Sequence, residues 1–183
     1  NYADLVSFTP HKFGGIIGTG VLIKKKSIVL TPLLVGGSSV SLYRSGTPAI
    51  GLIASISKSL EIALARQKEN YQKTKELQSL LLANIRDEKG ILMNSSSENP
   101  FIINLSVLSI PGSKMVSLLN ERGFAVSQKS ACSIPNTPSK AVMSVYHDRK
   151  RALTSFRISL CSLTKKEEVL ALTDAIKEIA NGK

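Results

Sequence analysis

The sequence has no tryptophan, and phenylalanine and tyrosine together supply only 5% of its 183 residues. Stacking platforms for single-stranded nucleic acid are therefore scarce, although the formal net charge of +11 would attract a polyanion. Two cysteines, Cys132 and Cys161, allow at most one disulfide, which excludes a stapled secreted scaffold. No apolar run reaches the roughly 18 residues that a membrane helix needs. We expect a cytoplasmic protein with no membrane contact, for which nucleic acid is not the main partner.

The pattern of apolar residues and turn signals predicts an α/β fold in which strands and helices alternate. A capping box of Thr164 and Glu167 is expected to start the last helix. Strands are predicted over residues 2–8, 19–24, 101–108, from 124 and over 154–160. Helices are predicted from about Ala49 to Arg86 with a break near 55–59, over 113–121, over 139–151, and from 164 to the end.

A first candidate site is the segment Ser7-Phe8-Thr9-Pro10-His11-Lys12, which precedes a glycine-rich turn. A lysine that condenses with an aldehyde must be held rigidly and must lose its proton easily, and a strand end beside other polar groups meets both needs. Hydroxyl and backbone N–H groups nearby suit a phosphate. Taken alone, the segment is explained more simply as an exposed lysine at the mouth of a loop.

Three further segments carry polar residues at element ends. Arg44-Ser45-Gly46-Thr47 reads as a turn before a helix. Ser130-Ala131-Cys132 places a thiol in a polar loop, where an accessible cysteine can act as a nucleophile and a buried one is a small apolar residue. Arg157 interrupts the apolar strand Phe156–Leu160, so it needs either a structural counterion or a carboxylate ligand, which a guanidinium binds well.

In this order, the four segments resemble the cysteine desulfurases of the NifS/IscS type, which are fold-type I enzymes that use pyridoxal 5'-phosphate (PLP). That family has Ser-Phe-Ser-x-His-Lys before a glycine-rich turn, then Arg-Ser-Gly-Thr, Ser-Ala-Cys and Ile-Arg-Phe-Ser-Leu. The matching residues here are Ser7–Lys12, Arg44–Thr47, Ser130–Cys132 and Phe156–Leu160. The resemblance implies that this chain is the C-terminal half of such an enzyme.

The resemblance also implies roles for individual residues. Lys12 would hold PLP and move protons at the substrate α-carbon, while Thr9 and His11 would bind the cofactor phosphate. Thr47 would reach the phosphate of the neighbouring subunit in a homodimer. Arg157 would bind the α-carboxylate of the L-cysteine substrate. Cys132 would take its sulfur as a persulfide, leaving alanine. No metal site is expected.

The implied organisation is a remnant of the PLP-binding large domain over residues 1–58 and a small α+β domain over 59–183. Expected partners are L-cysteine, a second copy, a sulfur acceptor or iron–sulfur scaffold protein, and an N-terminal half that is separate if the enzyme is split. The loop before Cys132 departs from the family, because Gln128 and Lys129 stand where Ser-Gly-Ser is usual. Cys161 stands where the family tends to have glycine, and we expect it to be structural.

Other readings of the same residues stay open. Cys132 with His147 would suit a thiol hydrolase, and Ser55 with Lys58 has the spacing of a Ser-Lys hydrolase motif. The basic charge would also suit a non-catalytic binding module for nucleic acid or an acidic protein. A degenerate desulfurase homologue is a further alternative.

Overall fold

The computed structural model describes residues 3–37, 43–96, 98–129 and 137–182. These residues form two compact units, of which the first ends at Gln67 and the second begins at Lys68. The expected division of the complete enzyme's domains at 58/59 stays a prediction. None of the described helices is long and apolar enough to span a membrane.

The first unit contains a two-stranded antiparallel sheet, a short 3₁₀ helix and one α-helix. Strand β1 (Leu5–Phe8) pairs with β2 (Val21–Lys24), which confirms both predicted strands. The 3₁₀ helix covers Pro10–Phe13, and helix α1 covers Ile50–Ala65. Among the described residues of this unit, only Pro10 is fully buried. The unit therefore has almost no hydrophobic core of its own.

The second unit is built around a three-stranded antiparallel sheet in the order β3-β4-β5. Its elements, beginning with the helix that starts at the boundary, are α2 (Gln67–Ile85), β3 (Ile91–Met93), β4 (Ile102–Val107), α3 (Gly112–Glu121), α4 (Lys140–Tyr146), α5 (Arg149–Leu153), β5 (Ser155–Ser159) and α6 (Lys166–Ala180).

The core of the second unit joins the sheet to helices α2, α3 and α6. Each element supplies apolar side chains at the period of its own secondary structure, so that one face of each is removed from water. The predicted apolar face of α6, Val169, Leu172, Ile176 and Ile179, is entirely buried. The largest fully buried apolar side chains are Leu81, Ile103, Leu105, Met115, Leu119, Phe156 and Ile176.

Two predicted helices are each divided in the structure. The long helix breaks at Arg66 and not near residues 55–59, and neither glycine nor proline marks that position. The helix predicted over 139–151 stops at Tyr146, because His147 adopts a left-handed conformation with φ 50°. Asp148 then caps a new helix by accepting a hydrogen bond from the Arg151 N–H at 3.0 Å.

Three details at strand and helix ends also differ from the predictions. Residues 124–126 do not form a strand, and pairing with β5 begins only at Ser127. Strand β3 was missed because three residues are too few to show a period. The helix begins one residue later than the predicted capping box of Thr164 and Glu167. Glu168 accepts a hydrogen bond from the Lys165 N–H at 2.8 Å. The Thr164 hydroxyl instead accepts one from the Cys161 N–H.

A polar network fastens helices α4 and α5 to the sheet. Arg151 Nε donates to Asn94 Oδ1 at 2.5 Å, and the guanidinium stacks on the ring of Tyr146 at 3.4 Å. The Asn94 amide in turn donates to Asn104 and Ser106 on β4. Most of these groups are partly buried and have hydrogen-bond partners within the network. The network therefore contributes to holding helices α4 and α5 against the sheet.

Candidate active site

In the first unit, the structure brings Thr9, His11 and Lys12 together on a single turn. Thr9 Oγ1 lies 2.7 Å from His11 Nδ1, in a hydrogen bond whose donor depends on the imidazole tautomer. The Lys12 N–H donates to the Thr9 carbonyl at 3.2 Å. The Lys12 side chain is exposed, and its ammonium forms no hydrogen bond or ion pair with another described residue.

Glycines allow the backbone conformation of this turn and its close approach to α1. Gly14 adopts φ 93°, a left-handed conformation that glycine reaches without strain, and it closes the 3₁₀ helix. A Cβ on Gly15 would lie 2.5 Å from Pro10 Cβ and 2.9 Å from Ser59 Oγ, so only glycine fits between the turn and α1. A lysine that must meet an aldehyde gains from such a fixed backbone.

Thr47 lies in the loop before α1 and is exposed. Its hydroxyl forms no hydrogen bond with the rest of the described chain. The same loop contains Gly46, with φ 123°, and Ser45, whose hydroxyl donates to the Gly37 carbonyl at 3.3 Å. No bond joins Thr47 to the Thr9–Lys12 turn. The role of Thr47 toward a neighbouring subunit stays a prediction.

In the second unit, Arg157 lies half-buried on β5. Its Nε is fully buried and has no hydrogen-bond partner among the described residues, and none of the ion pairs found there includes it. The structural counterion that would explain a strand arginine is therefore absent from the described part of the chain. Because a buried N–H without a hydrogen-bond partner costs free energy, the Nε of Arg157 favours a ligand that supplies the missing acceptor.

The start of the cysteine loop lies directly beside Arg157. Ser127 and Arg157 exchange two backbone hydrogen bonds, with N–O distances of 3.0 and 2.5 Å. Cys132 itself lies in residues 130–136, outside the described residues. Arg157, which is predicted to bind the substrate carboxylate, thus lies next to Ser127, where the loop of the predicted nucleophile begins.

Sequence reasoning missed a bond between the two ends of this loop. Lys129 Nζ donates to both the carbonyl oxygen of Thr137 at 2.7 Å and its hydroxyl at 3.0 Å. In the sequence, Lys129 stands out as a departure from the family's small residues and as a cation close along the chain to the Cys132 thiol, where it would favour the thiolate. Nothing in the sequence marks Thr137 as its partner, because the bond spans eight positions in a loop without periodicity.

Cys161 is exposed, not packed into the interior as a structural residue would be. Partial burial raises the pKa of its thiol, but hydrogen bonds from the Thr164 hydroxyl and from the backbone of Leu163 and Thr164 outweigh it, so the pKa lies below its usual value. The Sγ–Oγ1 distance to Thr164 is 3.7 Å.

The structure contradicts the interpretation of Ser55 and Lys58 as a hydrolase pair, because no hydrogen bond joins their side chains. The Ser55 hydroxyl donates to the Leu52 carbonyl at 2.7 Å, and the Lys58 ammonium donates to Glu61 at 2.9 Å. Each group is therefore engaged elsewhere along α1. His147 is exposed at the end of α4, where its backbone conformation, not its ring, has a structural role.

Comparison with known proteins agrees with these features. The profile of the aminotransferase class-V family matches residues 2–172. The chain is 28% identical to the cysteine desulfurase IscS of Dictyoglomus turgidum, over 96% of this chain and 46% of that protein. It is 32% identical to the mitochondrial cysteine desulfurase of Arabidopsis thaliana, over 90% of this chain and 37% of that protein.

Solved structures show the same likeness in three dimensions. A NifS-like protein superposes with a TM-score of 0.86 and 29% identity, over the whole of this chain and 47% of that one. A NifS-like protein from Rickettsia africae shares the fold, with a TM-score of 0.82 at 22% identity, over 98% of this chain and 48% of that one.

The fold is thus that of part of a NifS-like, fold-type I enzyme. The chain belongs to the aminotransferase class-V family. It spans about half the length, or less, of the curated relatives it matches.

Proposed function

We propose that this chain supplies the cofactor lysine, the carboxylate clamp and the sulfur-accepting cysteine of a PLP-dependent cysteine desulfurase. The observation that carries the proposal is that Arg157, a half-buried arginine on a strand, has no counterion in the described chain. Its backbone also forms two hydrogen bonds with Ser127, the residue from which the Cys132 loop begins. The chain also belongs to the aminotransferase class-V family, whose members are in general PLP-dependent, and this supports a PLP-dependent reaction.

The residues of the first unit fit a PLP site. Lys12 is exposed on a glycine-flanked turn, its ammonium makes no hydrogen bond or ion pair with another described residue, and Thr9 and His11 offer polar atoms beside it. PLP, when bound, supplies an electron sink for the substrate. Lys12 would attach the cofactor and carry a proton to and from the substrate α-carbon, while Thr9 and His11, and Thr47 of a neighbouring subunit, would bind its phosphate.

The residues of the second unit would act on the substrate itself. Arg157 would bind the α-carboxylate of L-cysteine through charge-assisted hydrogen bonds. The Cys132 thiolate would attack the substrate sulfur, so that a sulfur–sulfur bond forms while the carbon–sulfur bond breaks. The electron pair of the broken bond would stay with the carbon, which would take up a proton equivalent to the one lost by the Cys132 thiol, and the carbon skeleton would leave as alanine. The persulfide on Cys132 would then pass to an acceptor protein, such as an iron–sulfur scaffold.

The test measures cofactor uptake by this chain after it has been combined with the part of a related cysteine desulfurase that this chain does not cover. The two parts are either fused or mixed as separate chains. We expect a PLP absorbance at the edge of the visible range that Lys12→Ala abolishes. Lys26→Ala, which removes another exposed lysine from the same unit, should leave the absorbance unchanged. Uptake that survives Lys12→Ala would contradict the proposal. Salt-sensitive nucleic-acid binding without cofactor uptake would favour the basic binding module instead.

A further inference from the structure

A groove of about 740 Å³ lies in the second unit, between helix α5 and the loop that joins β4 to α3. Its volume falls in the range of known ligand sites, roughly 300–1,000 Å³. Most of its lining is apolar, and the charged part of the lining is basic. The apolar lining residues are Leu108, Ile110, Pro111 and Leu153, and the charged ones are Arg149 and Lys150.

One wall of the groove is the loop between β4 and α3. The Ile110 N–H donates to the Val107 carbonyl at 3.1 Å, which tightens the start of the loop. The loop ends at Gly112, where a Cβ would lie 2.1 Å from the Ser155 carbonyl oxygen, so its end packs directly on β5. Between these two points Pro111 is exposed toward the groove. The wall is thus held by contacts within the second unit.

The other wall is helix α5, which combines two cations with an apolar side chain. Leu153 follows Arg149 by four residues and Lys150 by three, which places it close to both on the helix surface. Arg149 and Lys150 are exposed, and in the part of the chain that the structure describes neither side chain forms an ion pair or a hydrogen bond. No acidic residue is among the described lining of the groove. The cations therefore lie about one helical turn, roughly 5 Å, from an apolar surface.

The shape and charge of the groove favour one kind of occupant. The groove is open to solvent, so a small molecule would keep much of its surface in water, whereas a peptide lying along the groove would cover it. The cations favour carboxylates, and the apolar lining favours an aliphatic side chain. A second copy of this chain is disfavoured by its formal net charge of +11. A single-stranded nucleic acid is disfavoured because the described lining contains no aromatic side chain on which bases could stack.

We propose that this groove is a docking site for an acidic peptide segment of a partner protein, in which an aliphatic residue is flanked by carboxylates. The aliphatic side chain would lie between Pro111 and Leu153, and the carboxylates would pair with Arg149 and Lys150. Successive residues of an extended peptide are about 3.3 Å apart, so a carboxylate one or two positions from the aliphatic residue matches the spacing on α5. This inference does not depend on desulfurase activity.

Fluorescence anisotropy with the full chain tests the site. The probe is a fluorescein-labelled peptide, Ser-Glu-Leu-Asp-Leu-Glu-Ser. Arg149→Glu/Lys150→Glu should weaken its binding about tenfold or more at low salt, because two attractions become repulsions. An acidic residue in the first turn of a helix is favourable, so the fold should persist, as circular dichroism would verify.

The matched control is Arg86→Glu/Lys89→Glu, which makes the same change in net charge at exposed positions outside the groove. It should leave binding of the probe within about twofold of the parent chain. Equal losses in the two double variants would mean that the net charge of the chain, and not the groove, attracts the peptide. That result would overturn the proposal.

Altered probes separate the apolar part of the interaction from the charged part. Serine in place of both leucines should weaken binding about tenfold, because the apolar lining then has no partner. Lysine in place of the acidic residues should remove detectable binding. A probe that binds equally well without its leucines would contradict the proposal. So would a single-stranded oligonucleotide of the same charge that binds more tightly than the peptide.

Photo-crosslinking locates the bound peptide. A probe with photo-leucine in place of its first leucine should label residues 108–113 and 149–154, as read by mass spectrometry. Labels found mainly before Lys68 would place the peptide on the exposed apolar side chains of the first unit and would contradict the proposal. Binding should also persist when the chain is combined with the part of a related cysteine desulfurase that it does not cover. Loss of binding in that complex would show that the added part covers the groove, which would equally overturn the proposal.

Discussion

At the scale of single residues, Arg157 combines a cost in stability with a predicted role in binding. Its Nε is buried without a partner in the described chain, so removing the guanidinium relieves an uncompensated polar group. We expect Arg157→Met to leave the free energy of unfolding unchanged or to raise it by up to about 1 kcal/mol. Urea unfolding followed by circular dichroism would measure this change.

Arg122 is the matched control for that substitution. It forms an ion pair with Glu178 at 2.7 Å, largely exposed to solvent. Arg122→Met should therefore lower the unfolding free energy by about 0.5 kcal/mol. A clear loss of stability in Arg157→Met instead would show that the arginine has a structural partner after all.

In the completed enzyme, Arg157→Met should raise KM for L-cysteine roughly 10- to 100-fold, because hydrogen bonds to charged groups contribute about 1.5–3 kcal/mol.

The Cys161 thiol provides a pH-dependent prediction. Hydrogen bonds that stabilise the thiolate lower its pKa, so the reactive form is present at lower pH than in an ordinary cysteine. Thr164→Val removes one of these bonds and should shift the alkylation profile of Cys161 to higher pH, which slows the reaction at neutral pH. Thr164→Ser keeps the hydroxyl and should retain most of the parent profile. The profile is measured in a Cys132→Ser background.

At the scale of secondary-structure elements, the contact between α3 and β5 depends on Gly112. A Cβ at this position would lie 2.1 Å from the Ser155 carbonyl oxygen, and a backbone atom cannot move aside as a flexible side chain can. We expect Gly112→Ala to lower the free energy of unfolding by roughly 1–3 kcal/mol, the usual cost of overpacking. Chemical denaturation gives the value.

Gly51 on α1 separates this effect from that of replacing a helical glycine in general. No atom lies within 4 Å of a Cβ built there. Gly51→Ala should stabilise its helix by roughly 0.5–1 kcal/mol, seen as slower amide exchange in α1. If both alanine variants were neutral, α3 could not be packed as tightly on β5 as the structure shows.

The elements that could be predicted from sequence are those with a clear apolar period. Strand β4 and the buried face of α6 are of this kind. The break after α4 was not predictable, because a histidine occupies the left-handed position where glycine or asparagine would have been a signal. The Lys129–Thr137 bond was hidden for a related reason, since side-chain direction in an aperiodic loop is set by the tertiary structure.

The candidate site was predicted as a set of residue types rather than as an arrangement. The motifs point to Lys12 and Arg157, and the structure adds that Lys12 lies on a turn whose glycine packs closely on α1 and that Arg157 lacks a counterion in the described chain. A counterion's absence cannot be read from sequence, because any acidic residue along the chain is a candidate until the fold is known.

At the scale of the whole molecule, apolar burial is divided very unevenly. Every member of the buried hydrophobic cluster belongs to the second unit, from Leu77 onward. The first unit exposes many large apolar side chains instead, including Ile17, Val29, Leu33, Val35 and Ile50. Exposed apolar side chains in such number favour a surface that another polypeptide covers.

This imbalance predicts that the second unit carries nearly all the stability of the chain. Limited proteolysis should remove residues before about Lys68 and leave a resistant fragment, because segments with little buried surface open locally at low cost. A chain truncated to residues 68–183 should unfold cooperatively at the same urea midpoint as the full chain. Its slope with denaturant should be nearly unchanged, since few residues before Gln67 are hidden from water. A truncated chain that fails to fold, or a resistant fragment that retains β1 and β2, would mean that the first unit contributes stabilising burial which the exposure of its side chains does not reveal.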